Sequence, residues 1–352
     1  MPVEQPRGRP GALVNDPRLV PGPDAAPVGR VRRTASPARV DGFDGATAGR
    51  AAGPKIVGPY AKFASGGDFS RTVLTPSGEI FVAVRVSKQD PGGERPLVFL
   101  DGLAALRERG EAMADKFRDE GQRTVISVLL KGQGDTLLRD FEKTGGKSLD
   151  HDLSDTEQAK VVTDVLDALG ITAPVDVFGL SYGGAIAAAV ARDAPDRVAN
   201  ALLVAPHVRS QARAQMGEAA WQMAVNNPWN PWGLSMYRSA AKATLGHGFG
   251  QREIFKAHPG AFHEALFRLA MGVDKNELED TVAGVKNVHV LVAEDDGASP
   301  LKYNVAAAEG SPGGSFTQAP DALKGQHDLV SADPDMLVRW VNEKLSPERA
   351  LP

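Results

Sequence analysis

A chain of 352 residues, with 42% hydrophobic and 24% charged residues, has the composition of an ordinary globular protein with one large or two modest domains. Its formal net charge of -4 gives no electrostatic basis for binding nucleic acid. The sequence contains no cysteine, which excludes disulfides, thiolate metal sites and cysteine nucleophiles. It has no apolar run of roughly 18 residues, the length that a membrane-spanning helix needs, and no apolar core of a secretory signal near its N-terminus. We therefore expect a cytoplasmic protein without a membrane span.

Residues 1–57 are rich in proline and glycine and show no apolar periodicity. Such a segment cannot bury enough apolar surface to offset the entropy that it would lose on ordering. We predict a disordered tail over residues 1–57 and a folded part that begins at residue 58.

The folded part opens with two runs, 68–74 and 79–86, whose turn-forming linker predicts a β-hairpin. The continuous apolar run 96–100 is typical of an interior parallel strand. A helical segment is predicted at 105–120, and a second buried strand follows at 124–129. Strands that alternate with helices predict βαβ units, and therefore a mostly parallel central sheet flanked by helices.

Ser154 and Glu157 form the pattern of a capping box, in which the hydroxyl and the carboxylate three residues on satisfy the exposed backbone donors at a helix start. The helix that follows ends at Gly170 and leads into an apolar strand at 175–180. Later strands are predicted at 199–204, at 288–292 and around 315–317, and a last helix is predicted to begin at Asp333.

The strand at 175–180 overlaps the pentapeptide 179–183, Gly-Leu-Ser-Tyr-Gly, which continues into an alanine-rich segment of high helix propensity. A strand, a tight turn and a helix form the context in which a Gly-x-Ser-x-Gly pattern exposes its serine at the top of a sheet. These residues resemble the nucleophile elbow of the α/β-hydrolase family, with Ser181 at the position of the nucleophile. The resemblance implies the α/β-hydrolase fold and extends in topology over about residues 68–346.

In this family the nucleophile is followed along the chain by an acid and then by a histidine. The turn 293–300 resembles the family's Gly-x-x-Asp-x-x-x-Pro turn, and its register implies Asp296 as the acid, with Asp295 as the alternative. His327 stands before the last predicted helix, where the family places its base. The resemblance therefore implies a catalytic triad of Ser181, Asp296 and His327.

The family also holds the oxyanion with two backbone N–H groups, and its register implies those of Tyr182 and Leu103. The loop before Leu103 usually reads His-Gly, but here Asp101 replaces the histidine. A carboxylate at this point opposes negative charge unless it is paired or points away, and Lys131 is a candidate partner. A second departure lies at 129–134, where the glycines of the family's Asp-x-Arg-Gly-x-Gly pattern are kept and its polar residues are not.

After the sixth predicted strand the alternation of strands and helices stops, and residues 207–286 have a helical pattern. Many α/β-hydrolases carry a helical cap here, so the resemblance implies core segments at 58–206 and 287–352 with a cap at 207–286. The aromatic residues of this cap either line an apolar substrate pocket or form the cap's own core. The pocket candidates are Trp221, Trp229, Trp232 and His207.

The resemblance implies a serine hydrolase that cleaves a carboxylic ester, lactone or thioester, and an apolar cap favours a hydrophobic acyl or ring substrate. The same triad serves acyl transfer and C–C bond hydrolysis, and a non-catalytic ligand-binding protein on the same fold is a third alternative. The sequence has no phosphate-binding loop, no metal-ligand spacing and no basic stripe interleaved with aromatics. We expect a small-molecule substrate, no cofactor, no metal and no nucleic-acid partner, and the sequence does not set the oligomeric state.

Overall fold

The computed structural model describes residues 60–89, 92–103, 105–144, 152–207 and 278–345, together with Ala265, Leu269 and Gly272. All of these residues lie within one compact unit that runs from Pro54 to Pro352. The predicted tail and almost all of the predicted cap lie outside the described residues, so both stay predictions.

The described residues form an eight-stranded sheet, whose strands are β1 Phe69–Thr75, β2 Gly78–Arg85, β3 Leu97–Leu100, β4 Val125–Leu129, β5 Val175–Leu180, β6 Val198–Val204, β7 Val288–Val292 and β8 Ser315–Gln318. Their spatial order is β1-β2-β4-β3-β5-β6-β7-β8. The pairs β1–β2 and β2–β4 are antiparallel, and all the other neighbouring pairs are parallel. The predicted α/β architecture with a mostly parallel sheet is confirmed.

Helices flank this sheet. In the described part of the chain they are α1 Ala61–Ala64, α2 Arg107–Asp119, α3 Gly134–Thr144, α4 Asp155–Ala168, α5 Tyr182–Asp193, α6 Leu278–Val282, α7 Leu301–Glu309, α8 Leu329–Ala332 and α9 Pro334–Leu345. Helix α3 is not among the predicted elements, although Leu137, Leu138 and Phe141 are spaced as on one face of a helix. Gly134 at its first position and Gly132 just before it, both with positive φ, resemble the glycines of a loop. None of the helices in this described part combines the length and the apolarity that crossing a bilayer requires.

The core lies on both faces of the sheet, and β5 shows how. Val175 and Val177 belong to a buried cluster that includes α4 and α5, whereas Phe178 and Leu180 belong to a second cluster that includes α2 and α9. Successive side chains of a strand point to opposite faces, so a strand covered on both sides is mostly apolar. The one carboxylate of β5, Asp176, is buried and accepts hydrogen bonds from Arg95 and Asn200.

The start of α4 corrects one detail of the predicted capping box. Ser154 Oγ accepts a hydrogen bond from the Glu157 N–H at 3.4 Å, as the pattern predicts. The Ser154 N–H, however, donates to the Asp152 carboxylate at 2.9 Å. The aspartate two residues before the cap thus takes the reciprocal role that the capping-box pattern gives to Glu157.

Parallel strands with this order bring their carboxyl ends to one edge of the sheet, where the loops of α/β proteins commonly carry the functional side chains. Asp101 follows β3, Ser181 follows β5, Asp296 follows β7 and His327 follows β8. The fold therefore gathers four loops, distant in sequence, at one edge.

Candidate active site

Ser181 occupies a sharp turn between β5 and α5, with φ 51° and ψ -116°. A non-glycine residue with positive φ is strained, so the surrounding structure must hold it. The Ser181 N–H donates to the Val204 carbonyl at 2.9 Å, and its own carbonyl accepts from the N–H of His207 at 2.9 Å. These bonds tie the serine, which follows β5, to the end of the neighbouring strand β6.

The glycines around Ser181 are required by the close approach of backbone segments. A Cβ on Gly179 would lie 2.1 Å from the Gly183 carbonyl oxygen, and a Cβ on Gly183 would lie 2.2 Å from the Leu100 carbonyl oxygen. Only glycine fits at either position. The Gly-x-Ser-x-Gly pattern thus has a steric basis in this fold.

The structure brings Ser181, His327 and Asp296 together. His327 Nε2 lies 2.8 Å from Ser181 Oγ, and His327 Nδ1 lies 2.8 Å from Asp296 Oδ2. Both distances fall within the roughly 2.6–3.2 Å expected between a nucleophile, its base and the group that orients the base. An ionised Asp296 can only accept, so it selects the tautomer with the proton on Nδ1 and leaves the Nε2 lone pair facing the serine hydroxyl.

Asp296 itself is held firmly. Its side chain is 1% exposed, and its Oδ1 accepts the N–H groups of Ala298 at 2.9 Å and Ser299 at 3.1 Å. Asp295, the alternative acid, has a side chain that is 68% exposed and pairs with Lys324 at 3.1 Å. The geometry therefore places Asp296, and not Asp295, against the histidine.

Two contacts fix the loop that carries His327. The Gly325 N–H donates to the Glu294 carbonyl at 2.6 Å, which ties this loop to the turn that carries Asp296. Asp328 accepts a bidentate hydrogen bond from Arg109 of α2, at 2.9 Å from Nη1 and 2.6 Å from Nη2. Burial alone would raise the pKa of Asp328, but the hydrogen bond and charge of Arg109 outweigh it and lower that pKa below its ordinary value.

The two N–H groups implied for an oxyanion site lie in the expected loops. Leu103 follows β3, and Tyr182 is the first residue of α5, where the helix leaves its N–H groups without intrahelical partners. Within the described residues neither N–H donates a hydrogen bond. A Cβ on Gly102 would lie 3.6 Å from Ser181 Cβ, so this loop passes directly beside the serine.

Asp101 pairs with Arg109 rather than with Lys131, the partner suggested by the sequence. Its Oδ2 lies 3.1 Å from Arg109 Nε, close enough for an ion pair but without the alignment of a hydrogen bond, and its Oδ1 accepts the Gly102 N–H at 2.7 Å. Burial raises the pKa of Asp101 to about 6, against the opposing charge of Arg109 and the hydrogen bond from Gly102. Arg109 thus joins the loop after β3 to the loop of His327.

Sequence reasoning missed Arg109 and also Gln133, whose Nε2 donates to the Gly102 carbonyl at 2.9 Å. Arg109 belongs to no motif, and Gln133 stands at the unspecified position between the two glycines of the segment 129–134. No local pattern marks either contact. Of the predicted pocket residues, His207 lies beside Ser181 through its backbone hydrogen bond. Trp221, Trp229 and Trp232 lie outside the described residues. The described residues include no cluster of three or more His, Asp or Glu side chains arranged to hold a metal ion.

Comparison with known proteins supports the same fold. A hydrolase from Pseudomonas aeruginosa PA01 is similar, with a TM-score of 0.58 and 15% identity over 79% of this chain and 98% of that one. An enol-lactonase from Burkholderia xenovorans LB400 has a TM-score of 0.58 and 15% identity over 78% of this chain and 99% of its own. A thermophilic esterase from Thermogutta terrifontis, bound to malate, has a TM-score of 0.56 and 20% identity over 79% of this chain and 100% of its own. No functionally curated protein gives a significant match. The sequence model of the alpha/beta hydrolase fold matches residues 95–278, more than half of the chain. The chain therefore belongs to the α/β-hydrolase family.

Proposed function

We propose that this protein is a serine hydrolase that cleaves a carboxylic ester, lactone or thioester through an acyl-enzyme on Ser181. The observation that carries the proposal is the continuous series of contacts from Ser181 Oγ through the His327 ring to the Asp296 carboxylate, each at 2.8 Å. A serine hydroxyl is a poor nucleophile until a positioned base takes its proton, and this arrangement supplies the base and its orienting acid.

In the proposed reaction Ser181 Oγ attacks the carbonyl carbon while His327 Nε2 takes the hydroxyl proton. The carbonyl oxygen becomes an oxyanion, to which the N–H groups of Leu103 and Tyr182 donate. The tetrahedral intermediate collapses, and the leaving alcohol or thiol departs with the proton from the imidazolium, which Asp296 stabilises. A water molecule then gives a proton to His327 and attacks the acyl group, so that the serine leaves with a proton and the carboxylic acid is released.

The site and the fold together favour a carboxylic ester, lactone or thioester as the bond that is cleaved. Two solved structures with this fold are named as an enol-lactonase and an esterase, and we extend that class of carboxylic ester to this chain. The tryptophans Trp221, Trp229 and Trp232 of the predicted cap favour a hydrophobic acyl or ring substrate. Competing nucleophiles added to the reaction, with analysis of the products, distinguish hydrolysis from acyl transfer.

The alternative of a ligand-binding protein without catalysis is favoured by Asp101. A charged carboxylate near the proposed oxyanion site would oppose the negative charge that develops in the reaction. Arg109 compensates this charge, with its Nε 3.1 Å from Asp101 Oδ2. This ion pair favours the enzyme.

The test is labelling with a fluorophosphonate, which reacts with activated serines, followed by turnover of p-nitrophenyl acetate and butyrate. We expect the parent protein to label, and Ser181→Ala and His327→Ala to lose both labelling and turnover while their circular dichroism is unchanged. Ser65→Ala, a change of an exposed serine remote from this site, is the matched control and should label like the parent. A parent that neither labels nor hydrolyses either ester would refute the proposal.

A further inference from the structure

The loop between β3 and α2 presents its backbone to the nucleophile, since Gly102 lies directly beside Ser181. The proposed function requires the Leu103 N–H in this loop to point at the developing oxyanion. Leu103 donates through its backbone, so its own side chain does not set the direction of this N–H. Some other group must fix the peptide unit that joins Gly102 to Leu103.

The geometry points to Gln133 as the positioning residue that aims the Leu103 N–H, an inference that rests on the proposed hydrolase function. Gln133 Nε2 donates to the Gly102 carbonyl at 2.9 Å. In a trans peptide the C=O of one residue and the N–H of the next lie in one plane and point in opposite directions. A hydrogen bond that holds the Gly102 carbonyl therefore turns the Leu103 N–H to the other side of the peptide.

The preceding peptide unit is fixed as well. The Gly102 N–H donates to Asp101 Oδ1 at 2.7 Å, and Asp101 is in turn compensated by Arg109. Both peptide units that flank Gly102 are thus oriented by side chains, one by a carboxylate and one by an amide. This leaves little freedom for the Leu103 N–H to rotate away when charge develops.

Gln133 is itself well anchored. Its side chain is buried. Its backbone N–H donates to the Leu130 carbonyl at 3.1 Å, and its backbone carbonyl accepts from the Leu137 N–H in the first turn of α3. The assignment of the side-chain nitrogen follows from chemistry, because a carbonyl oxygen can only accept and Nε2 is the donor of the amide.

A comparison with Gln158 indicates that Gln133 does more than satisfy polar groups. Gln158 is also buried and bonds with both amide atoms to one residue: its Nε2 donates to the Lys131 carbonyl at 2.9 Å, and its Oε1 accepts the Lys131 N–H at 3.2 Å. Gln133 Oε1, by contrast, has no hydrogen-bond partner among the described residues. Burying such an oxygen costs stability that an apolar side chain of the same size would avoid. The bond from Nε2 to Gly102 is what an apolar side chain could not supply.

The experiment compares the parent with Gln133→Met, which keeps the length of the side chain and removes the donor, and Gln133→Glu, which replaces the donor by an acceptor. Turnover of p-nitrophenyl butyrate is measured per active site, counted from the initial burst of p-nitrophenol. Phenylboronic acid, whose tetrahedral serine adduct resembles the oxyanion intermediate, provides an inhibition constant for the same site.

We expect Gln133→Met to lower kcat per active site by about 10- to 100-fold, less than the roughly 10²–10³ that follows outright removal of an oxyanion donor. KM should change by less than about threefold, because the bond acts on the transition state more than on the bound ester. The boronate inhibition constant should rise by the same factor as kcat falls, and Gln133→Glu should show a larger loss. Ser311→Ala is the control, because it removes a buried hydrogen bond to the Val285 carbonyl near the start of β7, at the opposite edge of the sheet. This variant should lose stability but keep both constants within about threefold.

Unchanged kcat per active site and unchanged boronate affinity in a folded Gln133→Met protein would overturn the inference, as would equal losses in Ser311→Ala. If Gln133→Met does not fold, Gln133→Glu decides by the same two constants. A parent that shows no burst and no fluorophosphonate labelling would refute the proposed function and this inference with it. An active parent with an unaffected Gln133 variant would refute this inference alone.

Discussion

Asp101 should make the stability of this protein depend on pH between about 4 and 6. Its carboxyl group is 4% exposed, and burial raises its pKa from an ordinary value of 3.8 to about 6. The perturbation that isolates this effect is Asp101→Asn. The asparagine oxygen can still accept the Gly102 N–H, but its side chain does not titrate, and its amide nitrogen would face Arg109 Nε, a second donor.

The shift of roughly two pKa units corresponds to about 3 kcal/mol in the free energy of unfolding. Because the folded state holds this proton more tightly than the unfolded state, protonation stabilises the fold. This contribution is fully present below pH 3.8 and is lost as the pH rises through about 6. Asp101→Asn lacks this pH-dependent contribution at every pH. The contact between its amide nitrogen and Arg109 Nε, both donors, lowers the variant's stability by an amount that does not vary with pH.

The assay is urea unfolding of the parent and of Asp101→Asn at several pH values from 4 to 8. Relative to the variant, the parent should lose about 2.4 kcal/mol of stability between pH 4 and pH 7, because the unfolded state is already partly ionised at pH 4. Asp335→Asn is the control, because a hydrogen bond from Lys116 lowers the pKa of this exposed carboxyl. The difference in the free energy of unfolding between the parent and Asp335→Asn should be constant above about pH 5. Below about pH 5 the parent should lose stability relative to this variant as the pH falls, which is the opposite direction to Asp101. A difference between the parent and Asp101→Asn that does not vary with pH would refute the reasoning.

Three further predictions, two of them with a control variant, test the site and the fold. Asp296→Asn should lower kcat for p-nitrophenyl butyrate by about 10³–10⁴-fold, because an amide no longer selects the productive histidine tautomer. The control Asp295→Asn should keep kcat within about threefold, and equal losses would contradict the assignment of the acid. Gly183→Ala should destabilise the protein by roughly 3 kcal/mol or more, since its Cβ would meet a carbonyl oxygen at 2.2 Å. Gly170→Ala, at φ 72° with no atom within 4 Å of the added carbon, should cost only about 1–2 kcal/mol in the same urea titration. Ser154→Ala should cost about 0.5–1 kcal/mol, the low end for an N-cap, because its bond is 3.4 Å long, and a loss above about 2 kcal/mol would show that the serine has another role.

Much of the fold could be predicted from the sequence, because strands and helices carry local signals. The segments 96–100 and 124–129 became β3 and β4 within one residue at each end, since a strand covered by helices on both faces is mostly apolar. Helix α3 carries a local signal as well, with Leu137, Leu138 and Phe141 spaced for one face of a helix, but the glycines at its start resemble those of a loop. The capping-box pattern assigns the Ser154 N–H to Glu157, but in the structure this N–H donates to Asp152. The pattern considers only the residue three positions after the cap, so it does not include Asp152, two positions before it.

The sequence by itself determined the order of the elements and indicated Ser181, His327 and one of two adjacent aspartates as site candidates, because motif, spacing and chain order are properties of the chain. The tertiary structure alone decided that Asp296 faces the histidine while its neighbour Asp295 faces Lys324, since adjacent residues in a turn project in different directions. It also decided the contacts of Arg109 and Gln133. Arg109 meets Asp328 across 219 positions of sequence, and Gln133 meets Gly102 across 31. Contacts of this kind arise when packing brings separate loops to one edge of a sheet, so no periodicity or local propensity records them.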